Sequence, residues 1–162
     1  MAIGLVAMPR IVVGQQLTTG HAFVGPVLVP ERPEPAGLAI GGGVERSIGK
    51  ASSVGAEIEN VYLPAFDAGY GCCTSSSGPS LSAWLFSFNG TRYITRSVGR
   101  PRWNPFITGG VGVIAAGEPM PVINVGGGAD RWMTPHRGVR WEIEGQLTGA
   151  TLLSFRVGIM FR

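Results

Sequence analysis

Val139-Arg140-Trp141-Glu142-Ile143-Glu144 alternates apolar and charged residues without a break. Successive side chains of an extended chain point to opposite faces, so a strand here is apolar on one side and charged on the other. The final run repeats the pattern: Leu153, Phe155, Val157, Ile159 and Phe161 share one face, and Ser154, Arg156, Gly158 and Arg162 the other, with Met160 the exception. Charged side chains are rarely buried without partners. The charged face therefore meets either bulk water or a polar interior where carboxylates meet guanidiniums. The first case is a soluble barrel or sandwich, and the second a sheet whose apolar face lies in lipid.

Working outward from this stretch, the same period of two predicts strands at 20–29, 38–47, 53–63, 82–94, 103–114, 122–133 and 139–147, with a last strand following a turn at 148–150. Pro26 is expected to interrupt the first. Eight antiparallel runs of about ten residues match what a tilted strand needs to cross a bilayer. The fold expected is all-β: a closed, antiparallel, up-and-down barrel of about eight strands, transmembrane, spanning 20–162. Residues 1–19 are read as a separate segment, a signal remnant or disordered.

The polar faces of these runs collect Glu45, Glu57, Glu59, Asp130, Arg140, Glu142, Glu144 and Arg156. Such a barrel leaves room inside only for side chains, so these residues are expected to form a structural network of interior charges. A proton or ion path is the competing reading. A soluble lipocalin-like barrel binding a lipophilic ligand needs every strand turned the other way. Periodicity alone leaves the two senses open, and composition favours lipid. The chain has 26 glycines and only 14 % charged residues, against about 25 % in soluble domains. Glycine triplets at 41–43 and 126–128 suit the curvature of a small barrel. Trp84, Trp103, Trp132, Trp141, Tyr62 and Tyr93 fall mostly toward strand ends, where aromatic girdles sit at membrane interfaces. Arg92, near the end of an apolar face, can extend its guanidinium to the interface.

Other functions find little support. No run approaches the ~18 to 20 apolar residues of a spanning helix, so any membrane-spanning structure must be a barrel. A net charge of +3 without a basic run gives no case for nucleic acid. Adjacent Cys72 and Cys73 lack the spacing of a zinc site and read as a loop pair, so no metal or cofactor is expected. Hydrolysis or acyl transfer needs a nucleophile, a base and an orienting group within reach. The chain offers only His21 and His136 and no G-x-S-x-G, so an enzyme acting on lipids is the weakest reading. Asn89-Gly90-Thr91 falls inside a strand, which makes it a chance match to a glycosylation signal.

Residues 38–64 (LAIGGGVERSIGKASSVGAEIENVYLP), 85–94 (LFSFNGTRYI), 103–113 (WNPFITGGVGV) and 123–144 (INVGGGADRWMTPHRGVRWEIE), with the terminal FRVGIMFR, resemble bacterial outer-membrane β-barrels of the OmpA/OmpX type. The resemblance covers 20–162. Its signal is a glycine triplet leading to a polar inward residue, a short turn and a G-x-x-x-E strand, at 41–57 and again at 126–142. It implies the bacterial outer membrane as location, lipid of that membrane and the barrel-assembly machinery as partners, and a structural, adhesive or surface-interaction role. It also implies termini and turns at 48–52, 95–102 and 134–138 in the periplasm. Loops at 30–37, 64–80, 115–121 and 148–150 would then be extracellular, and an extracellular partner would be met through 30–37 and 64–80.

Overall fold

A computed structural model describes residues 17–30, 35–64, 80–94, 103–116, 118–148 and 151–162. Eight strands follow one another: β1 (Thr18–Leu28), β2 (Pro35–Ser47), β3 (Ser52–Leu63), β4 (Leu81–Tyr93), β5 (Trp103–Ala116), β6 (Glu118–Trp132), β7 (Arg137–Leu147) and β8 (Thr151–Phe161). Each pairs antiparallel with the next, and β1 pairs with β8 to close the barrel. Closure leaves no sheet edge exposed along the wall, and this allows strands to stand in hydrocarbon. Strands of 11 to 15 residues exceed the ~9 to 11 needed to span it when tilted.

The alternation seen in the sequence sorts the two faces. Outward stand Val24, Ile40, Ile58, Phe86, Phe88, Val111, Ile123, Ile143, Val157 and Ile159, with Phe88 73 % exposed. Inward stand Glu45, Glu59, Asp130, Arg140, Glu142, Glu144, Gln146 and Arg156. This facing is the reverse of a lipocalin-like carrier, whose lumen is apolar. Tyr62 and Trp84 mark the end of the wall that carries the connections between β1 and β2 and between β3 and β4. Trp103 and Trp132 mark the opposite end. We call the first the loop end and the second, which holds Leu17 and Arg162, the turn end. Trp141 lies nearer mid-wall, opposite Ala129 and Val157.

Several expectations need correction. The chain at 115–121 is not a loop: β5 runs to Ala116 and β6 begins at Glu118, with Ala115 paired to Pro119 and Val113 to Pro121. Residues 118–122 pair only with β5, because β7 joins at Ile123, and an edge of this kind tolerates proline. Pro26 does not interrupt β1 either. Its pairing with Leu38 of β2 is kept, while the ladder to β8 skips from Val24 to Val27. The loop expected at 30–37 is shorter, since β2 starts at Pro35. Tyr93 is no girdle residue: it points inward and is 8 % exposed, while Arg92 takes the outer face and donates to Ser52 Oγ at 2.9 Å. Residues 1–16, most of the connections at 64–80 and 95–102, and Cys72 and Cys73 lie outside the described residues.

The glycines of β2 make room for the site. A Cβ on Gly41 would stand 2.6 Å from Phe23 Cζ, and one on Gly43 2.6 Å from Glu57 Cγ and 3.0 Å from His21 Cε1. Large side chains of β1 and β3 therefore reach over β2 into the lumen only because β2 presents no side chain there.

Candidate functional site: the interior charge network

Two arginines organise the lumen. Arg140 on β7 donates from Nε to Asp130 Oδ1 at 2.8 Å and from Nη2 to Asp130 Oδ2 at 3.1 Å, a two-pronged contact with the neighbouring strand. The same Nη2 lies 2.9 Å from Glu45 Oε2 on β2 and 3.2 Å from Tyr93 Oη on β4. Tyr93 Oη stands between the two acids, 2.9 Å from Asp130 Oδ2 and 3.1 Å from Glu45 Oε1. Ser53 Oγ donates to Glu45 Oε1. The Phe106 ring lies under the Arg140 guanidinium at 4.7 Å from its centroid.

Arg156 on β8 forms the second cluster, toward the loop end. It holds Glu144 through both carboxylate oxygens, at 2.7 and 2.9 Å, and reaches across the lumen to Glu59 and, at 3.4 Å, to Glu57 on β3. Gln146 Nε2 donates to Glu59 Oε2 at 3.0 Å and to Glu144 Oε1 at 3.2 Å. His21 Nε2 lies 2.9 Å from Glu57 Oε1, and the Phe23 ring sits 4.5 Å from the Arg156 guanidinium carbon. A smaller amide pair, Asn124 Nδ2 to Asn89 Oδ1 at 2.6 Å, lines the β4 and β6 side.

All eight residues expected inside stand inside, and five of the six carboxylates are joined to Arg140 or Arg156. Glu142 is the exception. It is 6 % exposed and pairs in register with Arg156, yet makes no hydrogen bond or ion pair among the described residues, because Arg156 turns to Glu144 and Glu59 instead. Six inward carboxylates thus face two arginines and His21. Sequence reading left Tyr93, Gln146, Ser53 and His21 out of the network. The usable signal for Tyr93 was strict alternation: Arg92 shares a face with Trp84, Phe86 and Phe88, which turns Tyr93 inward.

Above this polar core, toward the loop end, the lumen is apolar. Val27, Ala39 and Val61 pack with Leu63 and Leu152, and Leu85, Ile114 and Val122 pack with Ala83. At the turn end Met160 fills the axis beside Gly138, where a Cβ would lie 2.8 Å from Met160 Cε. His136 is exposed in the β6–β7 turn, where its backbone N–H donates to Thr134 Oγ1. Among the described residues no cluster of three or more His, Cys, Asp and Glu is arranged to hold a metal.

Closed eight-stranded topology, an apolar outer wall and a salt-bridged lumen define a small transmembrane β-barrel. The fold is that of outer-membrane barrels of the OmpA/OmpX type. The N-terminal β-barrel domain of Pseudomonas aeruginosa OprF superposes with a TM-score of 0.63 at 12 % identity, over 90 % of this chain and 97 % of that one. Neisserial surface protein A (NspA) gives 0.62 at 7 % identity, over 89 % and 94 %. Ail, the attachment invasion locus protein of Yersinia pestis, gives 0.51 at 8 %, over 89 % and 95 %. No protein-family model and no curated protein matches the sequence.

Proposed function

We propose that this chain is a non-conducting, non-enzymatic barrel of the bacterial outer membrane with a structural, adhesive or surface-interaction role. The observation that carries the reading is the cross-lumen tie of Arg140 to Glu45 and of Arg156 to Glu57 and Glu59, beneath two apolar clusters at the loop end. A lumen tied at two levels and capped by packed apolar side chains offers an ion no continuous polar path. The interior charges then serve as a packing network, each arginine offsetting carboxylates that would otherwise be buried uncompensated. Recognition belongs to the connections at the loop end, 30–37 and 64–80. The similarity in fold to a neisserial surface protein and to an attachment protein supports this assignment. Insertion would pass through the barrel-assembly machinery, and no nucleic acid, metal or cofactor takes part.

The test is electrophoretic mobility of the expressed chain in detergent, heated and unheated, together with conductance in planar bilayers. Heat-modifiable migration without steady single-channel currents is expected. A monodisperse detergent-free protein would overturn the membrane reading, and a steady open channel would overturn the packing role.

A further inference from the structure

Among the described residues, the outer wall carries its charge at one end. Arg46 on β2, Arg92 on β4 and Arg131 on β6 are each the penultimate residue of a strand running toward the turn end, and each is exposed on the outer face. Arg137, the first residue of β7, and Lys50, in the β2–β3 turn, lie at the same level and are exposed, as is Arg162 after β8. Among the described residues no aspartate or glutamate lies at this level of the outer wall. Of the ten acidic residues in the sequence, six face the lumen, Glu118 lies at the loop end, and Glu31, Glu34 and Asp67 fall in the connections between β1 and β2 and between β3 and β4. Basic residues thus recur on β2, β4, β6 and β7, with Lys50 in the β2–β3 turn and Arg162 after β8, below the apolar belt.

Trp103 stands at this level on the outer face, while Trp132, half-buried and in register with the inward Asp130, borders the mouth of the lumen. The Arg131 guanidinium carbon lies 5.5 Å from the centroid of the Trp103 ring, and that of Arg162 lies 3.8 Å from the Trp132 ring. Aromatic rings at this height mark the membrane interface, and a long arginine side chain leaving an apolar wall there carries its guanidinium into the headgroup layer. Guanidinium is the side chain best matched to a phosphodiester, with paired donors set for two oxygens.

We infer that the turn end is a binding ring for anionic phospholipid, selecting net-negative headgroups such as phosphatidylglycerol over zwitterionic ones in the leaflet that surrounds it. The inference rests on the membrane-spanning reading above and specifies what that membrane must contain at one rim. A basic residue near an anionic bilayer surface contributes about 1 kcal/mol, or about fivefold in local lipid occupancy. Enrichment of that order beside the ring is expected, and it should fade in high salt.

The test uses the refolded chain in phosphatidylcholine vesicles containing a minor fraction of lipid with brominated acyl chains, either phosphatidylglycerol or phosphatidylcholine at the same mole fraction. In a variant carrying Trp84→Phe, Trp132→Phe and Trp141→Phe, only Trp103 reports, at the turn end of the outer wall. A second variant keeps Trp84 alone and reports on the loop end. Stronger quenching of Trp103 by brominated phosphatidylglycerol is expected, with no such preference at Trp84. Arg46→Gln, Arg92→Gln, Arg131→Gln and Arg137→Gln together should abolish the preference while heat-modifiable migration persists. Equal quenching by the two lipids at the turn end, or a preference that survives the four substitutions, overturns the inference. So does polyglutamate binding to the ring in pure phosphatidylcholine vesicles without a lipid preference, which would assign the ring to an acidic protein. Quenching by brominated phosphatidylcholine itself reports insertion, so a lost preference and a failed membrane reading give different results.

Discussion

Arg140 Nη2 lies 2.9 Å from Glu45 Oε2, joining β7 to β2 across 95 residues of sequence. Both side chains are buried, and Asp130 and Tyr93 complete the contact. Removing the cation alone leaves two carboxylates in a lumen where, among the described residues, Arg140 is the arginine that pairs with them. Arg140→Ala should therefore destabilise the folded barrel by about 3–5 kcal/mol, read as a shift in the urea midpoint of refolding into lipid. Adding Glu45→Gln and Asp130→Asn should recover part of the loss. If the triple variant is no more stable than Arg140→Ala, the arginine acts by packing against Phe106 and not by charge.

Glu142 and Glu144 stand two residues apart on the same inward face and should respond oppositely to neutralisation. Glu144 fills the fork of Arg156 with both oxygens. A glutamine there turns an amide donor toward a guanidinium donor, and Glu144→Gln should cost about 1–3 kcal/mol. Glu142 has no partner among the described residues, and Glu142→Gln removes a buried charge without removing a bond. Its stability should match or exceed wild type by up to about 1 kcal/mol. Comparable destabilisation by both would show that Glu142 has a partner in the membrane-embedded protein.

The network and the apolar clusters close the lumen independently, so opening one should not open the barrel. Arg156→Ala frees the axis near Glu59 and Glu144 but leaves Val27, Leu85 and Val122 packed above it. No steady conductance is expected in a planar bilayer. Combining it with Val27→Ala and Leu85→Ala removes both obstructions, and small cation-selective currents are expected, since carboxylates then outnumber cations along the path. Currents from Arg156→Ala alone would mean that the apolar clusters do not seal.

How much of this was legible depended on whether alternation was followed strictly. The run from Val139 to Glu144 sufficed to predict a wall with one apolar and one charged face, and all eight interior charges follow from applying the same rule to the other strands. The rule was set aside at two kinds of place. Tyr93, an aromatic near a strand end, reads as interfacial by position, whereas alternation gives that face to Arg92. At 115–121 two prolines and a glycine read as a loop by composition, whereas Pro119 and Pro121 sit on an edge where a missing N–H is tolerated. Partner choice was not legible at all. Which carboxylates Arg156 takes depends on cross-lumen distances between β8 and β3, and local periodicity carries no information about those. The apolar residues on inward faces, Val27, Val61, Leu85, Ile114, Val122 and Met160 among them, are the trace of lumen closure in the sequence.

Gly43 and Gly90 separate two uses of glycine in the same wall. At Gly43 a methyl group would meet Glu57 Cγ and Ala56 O, each at 2.6 Å, and His21 Cε1 at 3.0 Å. Neither the backbone oxygen nor the pair held by the 2.9 Å contact of His21 with Glu57 can move without disturbing Arg156. Gly43→Ala should cost about 1–3 kcal/mol through overpacking. At Gly90 the nearest atom to an added Cβ is Gly109 O at 3.8 Å, an ordinary contact on the outer face. Gly90→Ala restricts the unfolded chain at no steric cost and should be neutral or stabilising by up to about 1 kcal/mol. Urea midpoints in the same lipid give the comparison directly. Equal effects would mean that β2 can shift away from β3, and that room over β2 is not what admits His21 and Glu57 to the lumen.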